Sequence, residues 1–217
     1  LAEKVKKYIN GEIIVFDGAV GSGQLEQYIS LKELVGCDIQ NKAIEVAKEN
    51  YPNNKLIASS FFDYNEEVSC DCTIMNPPFS IKFKDLSIKE QENIQKQFSW
   101  KKSGVVDDIF VLKSLKYSKR YGFYILFPGV GYRKTEETFR KLIGNNLAEL
   151  NRIDNAFTDT GISVLFIVVD KEKTNNKVFR EIYDCKLDKQ ILEDEWILED
   201  DCYWQQLQEE KEVDRKS

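Results

Sequence analysis

The sequence contains no histidine. That excludes Ser-His-Asp triads, Cys-His dyads, most zinc sites and all imidazole acid–base chemistry. Any reaction carried out here must run without an imidazole, and no metal site is expected. No apolar run approaches the ~20 residues that a membrane span needs. The N-terminal stretch LAEKVKKYIN is charged and lacks the apolar segment of a secretory signal. It also lacks a starting methionine, so the chain reads as trimmed. The five cysteines (Cys37, Cys70, Cys72, Cys185 and Cys202) are odd in number and scattered. Cys70 and Cys72 stand too close for a Cys-x-x-Cys metal knuckle, and the set reads as reduced thiols of a cytoplasmic protein.

What is present suits one packed domain with an extension. Hydrophobic residues make up 42% of the 217 positions and charged residues 31%, enough apolar content for a core. The net charge is −6, unlike the basic balance of a free-standing DNA-binding protein. It is unevenly spread. Residues 80–104 hold six lysines against three acids, a net +3, whereas residues 181–217 hold five bases against thirteen acids, a net −8. Both stretches also fit a simple solvated face.

Apolar runs and helical periodicity alternate along the chain. Strands are expected at 13–16, 34–37, 55–58, 70–75, 122–127, 147–153 and 163–170, with a further candidate at 178–183. Helices are expected at 2–10, 24–30, 41–50, 105–119 and 135–146. Residues 80–104 show no clear element. Repeated strand–helix alternation is the pattern of a mostly parallel sheet with helices on both faces, and such sheets bind ligands at the carboxyl ends of their strands. Asp17, Asp38, Asp63 and Asn76 all fall at such ends.

The turn after the first strand carries Gly18, Gly21 and Gly23. Glycines there let backbone approach a ligand closely. The dinucleotide fingerprint would need a glycine at position 26, which is Glu26, and no Gly-Lys-Ser/Thr follows for a phosphate loop. Asp38, 21 residues after Asp17, is placed to accept hydrogen bonds from ribose hydroxyls. Glu26 would repel a pyrophosphate. A nucleoside carrying positive charge fits better than NAD, the plain alternative being turn glycines with a capping acid. Asn76-Pro77-Pro78-Phe79 is stiff and extended and has no amide hydrogen at 77 or 78. It accepts hydrogen bonds but hardly donates them. A planar group bearing an NH2 suits it, with the amine between acceptors and the ring on Phe79.

On these residues the sequence resembles the S-adenosylmethionine-dependent amino-methyltransferases. It is most similar to the adenine-N6 DNA methyltransferases, especially the modification subunits of type I restriction–modification systems. Their Asp-Pro-x-x-Gly-Ser-Gly turn reads Asp17-Gly18-Ala19-Val20-Gly21-Ser22-Gly23 here, with Gly18 in place of the usual proline. Gly36-Cys37-Asp38-Ile39 matches the second motif, implying that Asp38 holds the ribose with Ile39 beside it. Phe62-Asp63 matches the third, implying contact with the cofactor adenine. Phe127-Pro128-Gly129 resembles the strand-five motif, and Phe157-Thr158-Asp159-Thr160-Gly161-Ile162 the loop before a reversed last strand.

The resemblance implies a Rossmann-like class I methyltransferase fold, α/β, with a mostly parallel seven-stranded sheet whose last strand is antiparallel. The catalytic domain would span residues 1–175, with an acidic C-terminal extension over 176–217. It implies S-adenosylmethionine as cofactor, held by Asp17, Gly18, Ala19, Gly21, Ser22, Gly23, Asp38, Ile39, Phe62, Asp63 and Asn76. Asn76, Pro77, Pro78 and Phe79 would carry catalysis on the N6 amine of an adenine flipped out of DNA. Lys82, Lys84, Lys101 and Lys102 become candidate phosphate contacts. The family's upstream cofactor-closing motif finds no room here, and no target-recognition domain is visible. DNA recognition is therefore expected from a separate specificity subunit or a recognition domain absent from this chain. The same residues would also serve RNA base amines or a protein glutamine amide, and a catalytically idle cofactor-binding subunit is the rival of another class.

Overall fold

Strand β1 (Ile13–Asp17) is a run of apolar β-formers closed by an acid, and all but Ile14 are buried. It is the middle strand of a parallel set that also holds β2 (Leu31–Asp38), β3 (Lys55–Ala58), β4 (Cys70–Met75) and β5 (Ser118–Leu126), in the spatial order β3-β2-β1-β4-β5. The registers pair Asp17 with Gly36, Asp38 with Ala58, and Phe16 with Thr73. All these strands therefore deliver their last residues to one edge. The computed structural model describes residues 1–157, 161–199 and 204. The chain divides into two compact units, one running from Leu1 to Ile125 and the other starting at Leu126.

In the first unit, α1 (Ala2–Tyr8) buries Val5 and sets the Tyr8 ring 5.4 Å from Tyr121 and 5.9 Å from Phe123. Helix α2 (Asn41–Asn50) turns Ile44 and Ala47 inward and stops ahead of Pro52, which cannot supply an amide to a further turn. The helix expected over 24–30 does not form; the segment is a chain of turns. Gly23 just before it has φ +79, and β2 begins already at Leu31, which leaves too little chain to offset the cost of helix nucleation.

Residues 80–104, expected to be without an element, hold α3 (Ile88–Gln97). Its start is a capping box: the Glu90 amide donates to Ser87 Oγ while the Ser87 amide donates to the Glu90 carboxylate. The Ser87-x-x-Glu90 spacing was present in the sequence as the signal for it. The helix expected over 105–119 is shorter, α4 (Asp107–Ser114), because Val105 bridges to Lys82 and Ser118 already opens β5. Helix α4 is buried almost all round, Asp107, Asp108 and Lys113 included.

The second unit contains α5 (Glu137–Ile143) and four strands, β6 (Leu147–Asp154), β7 (Val164–Asp170), β8 (Lys177–Asp184) and β9 (Lys189–Ile197), in the order β7-β6-β8-β9. The reversed strand expected over 163–170 is β7, antiparallel to β6 and buried along its whole length. The candidate strand over 178–183 is β8, parallel to β6. Strand β9, not expected, makes an antiparallel hairpin with it. Arg180 and Asp194 face each other across that hairpin, joined through two hydrogen bonds of 2.8 and 2.5 Å. Much of the acidic stretch is thus strand, paired on alternating positions that bury Trp196. Trp204 is buried against Phe139, with ring centroids 5.6 Å apart, and its amide donates to the Gly131 carbonyl. Of the residues named above, Thr158, Asp159, Thr160 and Cys202 lie outside the described ones. Cys37, Cys70, Cys72 and Cys185 are free thiols. No helix among the described residues is long and apolar enough to cross a membrane.

Candidate functional site

The turn leaving β1 is fixed by its own side chains. Asp17 is 1% exposed, and its Oδ1 accepts the Ala19 amide at 2.7 Å. The Val20 amide donates to the Cys37 carbonyl, which ties the turn to β2. A Cβ on Gly18 would stand 2.4 Å from the Phe61 ring, so the glycine that replaces the family's proline makes room for that ring. Gly23 needs its left-handed φ, and a Cβ there would meet the Tyr51 ring at 2.3 Å. The Tyr51 hydroxyl donates to the Gly23 carbonyl at 2.7 Å and Asn50 Nδ2 to that of Ser22 at 3.1 Å.

Asp38, at the end of β2, accepts the Gly21 amide on Oδ2 at 3.0 Å and the Gln40 amide on Oδ1 at 2.8 Å. The second motif thereby clamps the first. A carboxylate offers about four lone-pair sites, so Asp38 keeps acceptor capacity. Ile39 beside it is 72% exposed, a large apolar side chain held out at the strand ends.

Glu26, read in the sequence only as repelling a pyrophosphate, is fully buried in the first unit. The groups nearest its carboxyl are that of Asp17 and its own backbone amide, and neither oxygen makes a well-formed hydrogen bond among the described residues. Burial pushes its carboxyl up to about 7. Burial, and then the neighbouring Glu26 charge, pushes Asp17 well above the usual carboxylate range. Each of the two carboxyls therefore keeps its proton to higher pH than an exposed one would.

After β3 the chain turns through Phe61, Phe62 and Asp63. Phe61 stacks on Phe110 of α4 at 5.3 Å, and Phe62 packs at 4.8 Å on the same ring. Asp63 accepts from Lys89 Nζ at 3.0 Å and Asn93 Nδ2 at 2.8 Å, both on α3. Glu90 of the capping box also takes the Ser60 hydroxyl at 2.5 Å. The third motif is therefore held by the helix that sequence periodicity did not reveal.

At the end of β4, Asn76 Oδ1 is buried without a hydrogen-bond partner among the described residues. Pro77 is buried, Pro78 exposed and Phe79 half-buried. An unmet acceptor beside two residues that have no N–H makes a strongly accepting edge. Of the four lysines expected near phosphate, Lys82, Lys84 and Lys102 are exposed. Lys101 is not: it is 1% exposed, and its Nζ pairs with Asp108 at 2.5 Å. An interior cation committed to a carboxylate cannot reach a nucleic-acid backbone, so that expectation is corrected for Lys101.

The donor set of the site is acidic or accepting: Asp17, Glu26, Asp38, Asp63 and Asn76. No lysine or arginine stands in the glycine turn. Such a set fits a ligand that is cationic and rich in N–H and O–H donors, and does not fit a phosphate.

The family profile described as N-6 DNA methylase matches residues 10–211. No curated protein matches the sequence. Among solved structures, the methyltransferase subunit of a type I restriction–modification system from Streptococcus thermophilus is 23% identical with a TM-score of 0.65, covering 78% of this chain and 42% of that one. A modification subunit assigned to a type I restriction enzyme of Vibrio vulnificus is 12% identical with a TM-score of 0.69, covering 85% of this chain and 48% of that one. A protein from Listeria monocytogenes described as a class I S-adenosylmethionine-dependent methyltransferase is 14% identical with a TM-score of 0.67, covering 84% of this chain and 62% of that one. The fold is that of the class I methyltransferases, as the sequence led one to expect, but β8 and β9 add two strands to the seven expected. The chain spans less than half the length of the first two of these structures.

Proposed function

From the premise that this chain belongs to the N-6 DNA methylase family, we propose that it moves a methyl group from S-adenosylmethionine to the N6 amine of an adenine flipped out of DNA. It would do so as the catalytic part of a restriction–modification methyltransferase. The observation that carries this reading is the buried, unpartnered Asn76 Oδ1 next to Pro77 and Pro78. Among the described residues it is an acceptor with nothing to accept, in a segment whose two prolines have no N–H.

S-adenosylmethionine supplies an electrophilic methyl on a sulfonium. The residues present fit such a ligand: Asp38 for ribose hydroxyls, Ile39 and Phe62 for an apolar ring, Asp63 for the exocyclic amine of the cofactor's adenine. The backbone of Gly18, Ala19, Gly21, Ser22 and Gly23 lines the approach, and the Asp17 carboxyl fixes that turn by accepting the Ala19 amide. An exocyclic amine is a poor nucleophile because its lone pair is delocalised into the ring. Asn76 Oδ1 and the Pro77 carbonyl would accept its two hydrogens, favour a tetrahedral nitrogen and offset the positive charge that grows as the bond forms. Phe79 would stack on the extruded base and offset part of the few kcal/mol of unstacking. Placement of the nitrogen about 3 Å from the methyl does the rest. No base need act before transfer, consistent with a site built without histidine.

Residues 1–175 would form the catalytic part, followed by the acidic part over 176–217. Sequence-specific recognition would come from a specificity subunit or recognition domain outside this chain, and a cytoplasmic location follows from the substrate. Transfer of tritiated methyl to duplex DNA, RNA and protein tests the reading. Label in N6-methyladenine of DNA is the expected result. Label only in RNA or protein, or none with cofactor bound, overturns the substrate or the enzyme reading respectively.

A further inference from the structure

The Asn76–Phe79 segment is poorly supplied with anchors of its own, since Pro77 and Pro78 have no N–H. The residue that follows is unusual. Ser80 has φ +62, a left-handed conformation that costs a serine about 1 kcal/mol and persists where surrounding contacts over-determine it. Its amide donates to Asp107 Oδ1 at 2.9 Å. Asp107 is 1% exposed and opens α4.

Two more bonds continue the tie. The Val106 amide donates to the Ile81 carbonyl at 2.9 Å, and the Phe83 amide to that of Gly104 at 2.8 Å. Lys82 and Val105 form the antiparallel bridge between them. The chain leaving Phe79 is thus clasped against the chain entering α4, and Asp107 is the side chain of that clasp nearest to Phe79. The same helix holds the other half of the site, for Lys113 Nζ donates to the Phe61 and Tyr64 carbonyls.

We propose that Asp107 is a positioning residue for methyl transfer: by accepting the Ser80 amide it fixes the left-handed turn that aims Asn76, Pro77 and Phe79 at the target base. This rests on the reaction proposed above. Asp107 touches neither cofactor nor base in that scheme, so its loss should appear in turnover and not in cofactor affinity.

The test combines methyl transfer to duplex DNA, cofactor affinity by calorimetry, and amide hydrogen exchange over residues 79–83. Asp107→Ala is expected to lower kcat by ~10- to 100-fold, the scale of a small misplacement of reacting groups, with cofactor Kd within about twofold. Protection of the Ser80 amide should be lost. Asp107→Asn keeps an oxygen in the same place and should return kcat to within about threefold of wild type. A near-native kcat in the alanine variant, no recovery with asparagine, or an equal loss in cofactor affinity overturns the proposal. Should the alanine variant not fold, Asp107→Glu decides: its carboxylate, displaced by one methylene, should give the same fall in kcat at unchanged Kd, and native kcat overturns it. If the wild-type chain transfers nothing to DNA even with its specificity subunit or recognition domain supplied, the reaction is wrong. Hydrogen exchange still decides the clasp, because a Ser80 amide that stays protected in Asp107→Ala overturns it without any activity.

Discussion

Lys113 Nζ donates to the carbonyl of Phe61 at 2.5 Å and also lies 4.8 Å from the centre of that residue's ring. With the second bond, to the Tyr64 carbonyl at 2.8 Å, one buried ammonium holds both ends of the loop that carries Phe62 and Asp63. Burial lowers its pKa to about 8.

Lys113→Met should remove the stronger donor from both carbonyls, leaving that of Phe61 only the Tyr64 amide and that of Tyr64 only the Tyr117 hydroxyl, and destabilise the protein by about 1–2 kcal/mol, read as a lower urea midpoint. The pH dependence has a fixed sign. The folded pKa lies below the unfolded value, so the folded state releases its proton first, and this lysine's contribution to stability rises between pH about 8 and 10.5. Burial raises the pKa of several cysteines and tyrosines, which adds a pH dependence of its own in alkaline solution, so the quantity to measure is the wild-type minus variant difference. A difference that stays flat across that window would exclude an interior ammonium.

Asp17 and Glu26 titrate in the opposite sense. Their folded pKa values are raised, Glu26 to about 7 from 4.5. The stability they contribute is fully present below the unfolded carboxylate values and is lost as pH rises, for Glu26 from about 4.5 through 7. Glu26→Gln keeps the shape and removes one charge. It should flatten that fall and raise the melting temperature at pH 8 by roughly 2–8 °C. The same substitution should weaken binding of a cationic cofactor if the pair's field acts on it. Thermal melts at pH 5 and 8 check the first part, and no gain at pH 8 would show that the pair is not under strain there.

The parallel strands and α2 were legible because each is a short apolar run between a polar turn and the next helix signal. Asp17, Asp38 and Asn76 were legible as site candidates because strand ends carry the chemistry in such folds. The structure keeps those three at the ends of adjacent strands. The supporting residues were hidden for physical reasons. Glu26 looks like a solvated helix residue until no helix forms. Asp107, Asp108 and Lys113 break the helical hydrophobic pattern of α4 because that helix is buried on every side, where charge is tolerated only by pairing. Helix α3 has a polar sequence, and only its capping box marks it. Strand β9 is acidic on its exposed face and reads as a tail until the partner strand β8 is seen.

Lys101 and its neighbours should separate by experiment. Lys101→Met leaves Asp108 buried without its cation and is expected to cost ~3–5 kcal/mol, while Lys101→Met with Asp108→Leu recovers part of that loss. Replacement of exposed Lys82, Lys84 or Lys102 by alanine should leave stability unchanged within about 0.5 kcal/mol. If these lysines meet phosphates, each replacement should instead weaken DNA binding and reduce the slope of log affinity against log salt by about 1. Denaturation curves and a salt titration decide the two cases. An unchanged salt slope in all three variants would remove these lysines from the DNA interface.

Asn76→Ala removes the acceptor on which the reaction depends and touches nothing that fixes the glycine turn or Asp38. Turnover should fall by about 100- to 1,000-fold, the usual loss for one preorganised group that stabilises developing charge, while cofactor affinity stays close to native. Phe79→Ala should behave differently. The amine would still find its acceptors, but the extruded base would lose a stacking face worth ~1–3 kcal/mol, so DNA affinity should fall more than the rate at saturating DNA. Asn76→Asp sharpens the distinction. It keeps an oxygen acceptor but adds charge beside Pro77, and it should retain more transfer than alanine while shifting the pH dependence. Single-turnover kinetics with labelled cofactor, alongside binding of a duplex that carries 2-aminopurine at the target, resolves all three variants. Near-native turnover in Asn76→Ala would mean that the Pro77 carbonyl alone polarises the amine, and the role given to the unpartnered Oδ1 would have to be withdrawn.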